Sequence, residues 1–351
     1  MPVIAPQPLP RCLIPPYLLD RLSRQGAGRV ACGAANTLHL DARQLSLRAS
    51  SVALSPTGAS AAARTEGAAP PQRRIHDAGN ATALPGKLVR AEGQPPRADA
   101  AVDEAYDHLG AVHAYFRQVH ARDSIDGRGL PLVGTVHYGQ DYDNAFWNGA
   151  QMVFGDGDGQ IFNRFTIALD VVAHELTHGI IDHSGGLVYQ GQAGALNESL
   201  CDVFGALVRQ HAAGQTAEEA DWLIGAGLFT AAVNARALRS MSEPGTAYDD
   251  PLIGRDPQPG HMRDFVDTDE DNGGVHINSG IPNRAFHLAA RNLGGPAWQG
   301  AGQVWYRALT GGQLPPRADF VSFARLTVVT ASDARVREAV RRAWADVGVL
   351  P

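Results

Sequence analysis

Near its middle the chain reads Val171-Val172-Ala173-His174-Glu175-Leu176-Thr177-His178-Gly179, a segment that fixes the architecture around it. In a helix, His174 and His178 lie four residues apart on one face, so both imidazoles can bind one metal ion. Glu175 points about 100° away from His174 around the helix axis. It is poorly placed as a ligand in the same plane, but it can reach a water molecule beside the metal. Two ligands and a separate general base are what a hydrolase needs.

A third ligand should come from a second element, and Glu198 is the best candidate. Nineteen residues separate His178 from Glu198, enough for a turn and the start of another helix. The run 197–204 reads as that helix, because its apolar residues are spaced for burial. Asp202 falls one turn after Glu198, where it can accept a hydrogen bond from a ligand imidazole and fix its orientation. Two imidazoles and one carboxylate leave zinc an open position for water, as catalytic zinc sites do.

Chance is the alternative explanation for this pattern. A five-residue motif with two histidines also occurs in helices that bind nothing, and a single histidine is usually structural. The presence of Glu198 and Asp202 in register favours a metal site. The sequence therefore predicts a zinc hydrolase.

Further segments resemble blocks of the thermolysin-like neutral metallopeptidases, in the family's order. These segments are residues 143–149, 152–159, 186–190, 238–242 and 272–280. The resemblance implies an α+β fold, the two-lobed zincin, with a β-rich N-terminal lobe, an α-helical C-terminal lobe and the zinc helix between them. It also implies a single catalytic zinc ion and endopeptidase activity on proteins and peptides.

The resemblance assigns catalytic roles to four residues. Glu175 matches the general base that takes a proton from the attacking water and passes it to the leaving amine. His276 and Tyr189 match the donors of hydrogen bonds to the oxyanion, and Asp271 matches the acid that orients His276.

The resemblance also identifies substrate-binding residues. Arg239 matches a residue that grips a substrate carbonyl, and Asn144 with the backbone of Ala145 matches the edge strand that pairs with bound peptide. The pocket for the residue after the scissile bond would be lined by Phe162, Phe165, Val171 and Leu238. All four are apolar, so we expect cleavage before Leu, Phe, Ile or Val. For any one of them taken alone, ordinary core packing is the simpler explanation.

The amino-terminal region resembles the short propeptide of the protealysin-like branch of the family. Cys12, Pro15, Pro16 and Tyr17 would belong to an inhibitory propeptide, in which an apolar, extended segment beside the Pro-Pro pair blocks the cleft of a latent precursor. The alternative is a proline-rich, weakly ordered tail. A sharper hypothesis is that the Cys12 thiolate caps the zinc ion, since thiolate is a good zinc ligand.

The chain divides into four predicted regions. Residues 1–50 are the propeptide, and residues 51–72, rich in Ala, Ser, Gly, Thr and Pro, are an exposed linker that contains the activation cleavage site. Residues 73–185 are the N-terminal catalytic lobe, and residues 186–351 are the helical lobe. Within them, the patterns predict a helix over 98–121, a strand over 132–138 and a zinc helix over 165–182.

Composition narrows the choice of partners and of location. A formal net charge of −6 argues against nucleic acid or an anionic membrane as a partner. No run approaches the roughly 20 apolar residues that span a bilayer.

Residues 1–11 lack the basic start and continuous apolar core of a secretory signal. Most family members act outside the cell, so the resemblance implies secretion, with intracellular residence as the alternative. We expect a monomer whose partners are substrates, its own propeptide and, as the resemblance allows, a protein inhibitor.

The resemblance to thermolysin breaks at one position. There the second zinc helix carries a carboxylate that helps to hold a pair of calcium ions, and the matching residue here is Arg209. The partner position keeps Asp170. A fixed positive charge beside Asp170 opposes calcium and can replace it by ion pairing. We therefore expect the double calcium site to be absent.

Two other functions compete with the endopeptidase. Zinc aminopeptidases share the two-histidine motif with a downstream Glu, but their Glu is one residue closer. A Gly-Ala-Met-Glu-Asn type of motif precedes their zinc helix, and this chain lacks it. A catalytically inert, zinc-stabilised binding protein would have no need of Glu175, Tyr189, Asp271 and His276 together.

Overall fold

A computed structural model describes residues 11–52 and 70–351 of the chain, with side chains described for residues 11–44 and 70–351. The predicted linker, residues 51–72, lies mostly outside the described residues. No helix in the described part is both long and apolar enough to cross a membrane.

A six-stranded mixed sheet forms the framework of the N-terminal part, in the order β1-β5-β6-β4-β2-β3. Its strands are β1 (Arg11–Cys12), β2 (Arg73–Asp77), β3 (Lys87–Ala91), β4 (Leu132–Val136), β5 (Ala145–Trp147) and β6 (Met152–Phe154). Strand β4 runs parallel to both β2 and β6, whereas the other pairs are antiparallel. The strand predicted over 132–138 ends early, because His137 adopts a left-handed φ of 53°.

The C-terminal part is predominantly helical, as the sequence predicted. Four short strands there form two ribbons, β7 (Leu223–Ile224) with β8 (Arg239–Ser240) and β9 (Asp249–Asp250) with β10 (Gly254–Arg255). The described residues, in both parts together, form ten α-helices. They are α1 (Pro16–Gln25), α2 (Arg29–Val52), α3 (Ala100–His120), α4 (Leu169–Asp182), α5 (Gly191–Ala213), α6 (Asp271–Asn278), α7 (Gly280–Leu293), α8 (Ala301–Thr310), α9 (Phe320–Thr330) and α10 (Ala334–Asp346).

The predicted zinc helix is two elements rather than one. A 3₁₀ turn at Phe165–Ile167 is separated from α4 by Ala168, whose extended φ and ψ of −106° and 114° break the helix. Almost the whole of α4 is buried against α5 and the sheet. Gly179 permits the approach of the sheet side, because a Cβ there would lie 2.7 Å from a methyl carbon of Ile125 and 3.1 Å from the ring of Trp147 in β5. Gly205 of α5 permits the approach of α4, since a Cβ there would lie 2.7 Å from the Asp170 carbonyl oxygen. The two helices that carry the predicted ligands are therefore packed backbone to backbone.

The amino-terminal region folds onto the cleft. Helices α1 and α2 pack on each other, and β1 pairs antiparallel with β5, which would otherwise be the edge strand of the sheet. The segment just before the Pro-Pro pair is extended, as the sequence predicted. Pro15 is the extended N-cap residue of α1, and Pro16 is its first residue, a position that suits proline because its φ is helical and the first turn needs no N–H partner.

Candidate active site

The metal-binding position lies between α4 and α5, where three side chains converge. Glu198 Oε2 is 3.3 Å from His174 Nε2, and Glu198 Oε1 is 3.5 Å from His178 Nε2. Zinc bonds of 2.0–2.1 Å in a tetrahedron would separate neighbouring ligand atoms by about 3.3 Å. Among the described residues, His174 Nε2, His178 Nε2 and Glu198 Oε2 are buried with no hydrogen-bond partner. These orphaned atoms fit a zinc ion, which would satisfy all three at once.

Hydrogen bonds orient both imidazoles toward this centre. His174 Nδ1 donates to Asp202 Oδ1 at 2.8 Å, and His178 Nδ1 donates to Asn197 Oδ1 at 2.8 Å. In the neutral imidazoles, protons on Nδ1 leave the Nε2 lone pairs free for metal. The sequence predicted the Asp202 contact but gave no role to Asn197.

Cys201 is a neighbour of the centre that does not complete it. Its sulfur lies within 4.8 Å of ring nitrogens of both histidines, so the three residues form a cluster able to hold a metal. However, the sulfur contacts His178 at Nδ1, 3.1 Å away, the nitrogen already bonded to Asn197. Burial raises the pKa of the Cys201 thiol well above its usual value, so it stays protonated. Glu198, which faces both unpartnered Nε2 atoms, is the better third ligand.

Glu175 is held beside the centre as a general base would be. The backbone N–H of Trp147 donates to its Oε2 at 3.0 Å, whereas Oε1 is buried without a hydrogen-bond partner among the described residues. Burial raises the pKa of Glu175 to about 8. A carboxyl group poised near neutral pH can both accept and return a proton.

His276 and Asp271 form a fixed pair on α6. His276 Nδ1 donates to Asp271 Oδ1 at 2.6 Å, and the His276 backbone N–H donates to Asp271 Oδ2 at 2.8 Å. This double contact requires a turn in which φ is positive at each residue from 271 to 274. Burial alone would lower the pKa of His276, but the Asp271 and Glu198 carboxylates outweigh it and raise the pKa to about 9. Protonated His276 can therefore donate from Nε2.

Tyr189 completes this wall of the site. Its hydroxyl donates to Glu198 Oε1 and lies 3.3 Å from His276 Nε2. Burial raises the pKa of Tyr189 well above its usual value, so the hydroxyl keeps its proton.

The predicted substrate-binding residues hold the amino-terminal segment. The Leu13 N–H donates to the Ala145 carbonyl at 3.2 Å, and the Ile14 N–H donates to Asn144 Oδ1 at 2.9 Å. Arg239 Nη1 donates to the Leu13 carbonyl at 3.4 Å. The segment therefore runs along β5 as an added antiparallel strand.

One carboxylate links this strand contact to the metal centre. Asp202 accepts two hydrogen bonds from Arg239, each of 2.8 Å, in addition to the one from His174. Asn283 donates to it at 2.8 Å. Burial would raise the pKa of Asp202, but the charge of Arg239 and the hydrogen bond from His174 lower it to about 2.

The predicted pocket residues are all buried. Leu13 is fully buried in the same apolar core as these residues, namely Phe162, Phe165, Val171 and Leu238. A leucine side chain thus lies in the apolar interior beside the site.

Cys12 reaches the site through its backbone and not through its thiol. Its carbonyl oxygen lies 3.0 Å from His276 Nε2, whereas its side chain belongs to a separate cluster with Tyr138, Tyr142 and Phe146. The thiol also hydrogen-bonds Asp41 of α2. The prediction that the Cys12 thiolate caps zinc is therefore wrong.

The Pro-Pro-Tyr run lies next to this contact. Pro15 is buried and Pro16 is exposed. Tyr17 is hydrogen-bonded to Tyr248, and burial raises its pKa well above the usual value.

Two family models match most of the chain. Residues 65–182 match the catalytic domain of thermolysin metallopeptidase, and residues 185–349 match the alpha-helical domain of the same enzyme. The chain belongs to the thermolysin metallopeptidase family. It is accordingly a zinc-dependent metalloendopeptidase, which excludes the aminopeptidase and the inert binding protein as descriptions of the whole chain.

Relatives within the thermolysin family are similar over nearly the full length. An extracellular metalloprotease of Pectobacterium carotovorum subsp. carotovorum is 55% identical over 343 residues, 96% of each chain. Protease PrtS of Photorhabdus sp. (strain Az29) is 52% identical over 79% of this chain and 76% of its own. The fold matches the precursor of protealysin, a metalloproteinase from Serratia proteamaculans. The TM-score is 0.88 at 54% identity, with 97% of this chain and 99% of the other covered.

Sequence reasoning missed several residues at this thermolysin-family site. Asn197 adjoins Glu198 and could have been found by asking which polar side chain on α5 faces the second histidine. Asn283 and the Trp147 N–H carry no motif of their own. Arg11 contacts the zinc helix from the amino-terminal segment.

Proposed function

We propose that this chain is the latent precursor of a zinc endopeptidase, in which residues 11–14 occupy the cleft as a substrate would. The observation that carries the proposal is the position of two carbonyl groups. His276 lies 3.0 Å from the Cys12 carbonyl oxygen, and Arg239 donates to the next carbonyl, that of Leu13. In this register the Cys12–Leu13 bond stands where a substrate bond would be cleaved.

The residues around that bond support a division of roles. Zinc, when bound by His174, His178 and Glu198, would polarise the substrate carbonyl and lower the pKa of a water molecule to near neutrality. Glu175 accepts the proton of the attacking water and returns it to the leaving amine.

Negative charge builds on the substrate carbonyl oxygen as the carbon becomes tetrahedral, and hydrogen-bond donors stabilise this charge. His276, held by Asp271, donates from Nε2, and Tyr189 is a second donor within 3.3 Å of that nitrogen. One such preorganised donor lowers the barrier by roughly 3–4 kcal/mol. Arg239 and Asn144 hold the peptide beyond the bond without reading its side chains.

Substrate preference follows from the residue after the bond. Leu13 is fully buried, and the predicted pocket residues are apolar, so peptides with Leu, Phe, Ile or Val at this position are the proposed substrates. Mapping the cleavage sites in a denatured protein tests this preference. Cuts before charged residues would contradict it.

Activation of the latent precursor requires removal of the amino-terminal region. The proposed division is a propeptide (1–50), a linker with the activation site (51–72), a catalytic lobe (73–185) and a helical lobe (186–351). The uncut full chain should hydrolyse casein slowly, and cleavage within 51–72 should raise the rate, with a chelator abolishing it. Full activity of the uncut chain would contradict the proposal.

Secretion is the proposed location, supported by the extracellular relative from Pectobacterium. N-terminal sequencing of protein from culture supernatant and from lysate tests both location and processing. Mature protein found only in the lysate would contradict secretion.

A further inference from the structure

Arg11 occupies a binding position for a cation beside the zinc helix. The residue is only 5% exposed. Its Nη1 lies 2.6 Å from Asp182 Oδ1 and donates to the His178 carbonyl at 3.2 Å. The guanidinium carbon lies 5.7 Å from the centroid of the Tyr189 ring. A carboxylate, a carbonyl and an aromatic face thus surround one positive charge.

All three groups belong to the catalytic region and not to the propeptide. Asp182 is the last residue of α4 and His178 lies one turn before it, near the end of the helix where the dipole places partial negative charge. The aromatic face of Tyr189 attracts a cation by its quadrupole. Helix α4 has no basic residue of its own in that turn. The position is therefore built for a cation supplied by another segment.

The register of β1 relates this position to the reaction. Arg11 pairs with Trp147, and Cys12 pairs with Phe146. Because side chains alternate along a strand, Arg11 and Leu13 lie on one face of β1 and Cys12 lies on the other. A peptide that follows the same path, with its cleaved bond in the place of Cys12–Leu13, presents its second residue before that bond to Asp182.

We propose that Asp182, the His178 carbonyl and the Tyr189 ring form a subsite that selects arginine two residues before the scissile bond. Arginine fits better than lysine, because a planar guanidinium can bond the carboxylate and the carbonyl and stack on the ring together. Asp182 is the main specificity-determining residue. This assignment rests on the substrate register of the proposed function.

Peptide kinetics with the enzyme activated from the full chain test the subsite. Quenched peptides with leucine after the bond should carry arginine, its neutral analogue citrulline, or alanine two residues before it. A charge-assisted hydrogen bond predicts that kcat/KM is about tenfold higher for arginine than for citrulline. Asp182→Asn should bring that ratio close to one. Asp107→Asn, which removes a carboxylate from the exposed face of α3, should keep it. A wild-type ratio of one, or an unchanged ratio in Asp182→Asn, overturns the subsite.

A second measurement uses the precursor and needs no hydrolysis. Arg11→Glu and Asp182→Arg should each lower the midpoint of thermal unfolding of the full chain, and the double variant should recover most of the loss. Losses that simply add would overturn the pairing. Absence of hydrolysis by the activated chain would refute the proposed function instead, while this cycle still decides whether the cation position exists.

Discussion

The metal centre and the contact made by β1 are held by different kinds of interaction. At the centre, side chains from elements distant in sequence fix one another, as when Asp202 bonds both His174 and Arg239. Along β1, most contacts run through the backbone of residues 11–14. Side-chain networks demand particular residues, whereas main-chain pairing accepts many sequences. Single substitutions at the metal centre should therefore abolish hydrolysis. Single substitutions along β1 should only weaken the inhibition of the uncut chain.

The largest effect is expected for Glu175→Gln at the metal centre. Glutamine keeps an oxygen to accept the Trp147 N–H but cannot take a proton from water. Loss of a general base lowers the rate by about 10²–10⁴-fold. We expect kcat/KM of the activated enzyme to fall by that factor while its zinc content stays at one ion per chain.

The exposed Glu243→Gln makes the same chemical change away from the site and is the matched control. It should leave both quantities unchanged. Undiminished hydrolysis by Glu175→Gln would contradict the assigned role of Glu175.

The same contrast explains how much the sequence revealed. The spacing of His174 and His178 is a local property of a helix, so it was readable without any fold. Glu198 and Asp202 followed from helical spacing one turn apart. The family resemblance supplied Arg239, whose hydrogen-bond partners, Asp202 and the Leu13 carbonyl, come from two separate segments, so spacing alone could not have placed it.

The position of Cys12 shows where such reasoning ends. Its side chain points away from the centre because it pairs with Phe146, and a shift of one residue would reverse the facing of every side chain in β1. No local pattern records that register. The sequence does not reveal the contact of Asp41 with Tyr142 and Asn144 either, because about a hundred residues separate the partners.

The next largest effect is expected for Leu13→Asp in the strand contact. Leu13 is fully buried, so the change removes an apolar contact of roughly 1.5–3 kcal/mol and places an unpaired charge there. The uncut variant should hydrolyse a blocked dipeptide at least about tenfold faster than the uncut wild type. Mass spectrometry on the same sample verifies that the chain is intact.

Ala35→Asp adds the same charge on an exposed face of α2 and should preserve latency. If Leu13→Asp were as inactive as wild type before cleavage, and fully active afterwards, the strand contact would not be what inhibits the enzyme.

A smaller, pH-dependent effect is expected from Asp41 of α2, which contacts Cys12 of β1 and Asn144 beside β5. Burial raises its pKa from 3.8 to about 6, although Tyr142, Asn144 and Cys12 donate hydrogen bonds to it. A raised pKa stabilises the folded precursor fully below 3.8, and this contribution is lost as the pH rises through about 6. Between pH 7 and pH 5 the wild type should gain about 1 kcal/mol that Asp41→Asn does not.

Thermal unfolding of the two precursors at both pH values measures this difference. The midpoint of wild type minus that of Asp41→Asn should be larger at pH 5 by roughly 1–2 °C. Asp20→Asn, an exposed change on α1, should show no such dependence on pH. A difference that is constant between the two pH values would mean that Asp41 titrates normally.

The smallest effect is expected for calcium, on the far side of the zinc helix. Arg209 Nη1 lies 3.3 Å from Asp170 Oδ2 and also contacts Asp221, so the ion pair predicted from the sequence is present. The remaining acceptors of Asp170 are used as well, because the N–H groups of Gly225 and Val171 each donate to it at 3.0 Å. A calcium ion would have to displace a fixed cation from a carboxylate that is 1% exposed. Millimolar calcium should therefore move the unfolding midpoint of the wild type by less than about 1 °C.

Arg209→Glu should have the opposite effect, because two neighbouring carboxylates repel each other until a divalent cation joins them. That variant should melt earlier than the wild type without calcium and regain part of the loss when calcium is added. A large calcium-dependent shift in the wild type would show that the ion pair does not replace the metal.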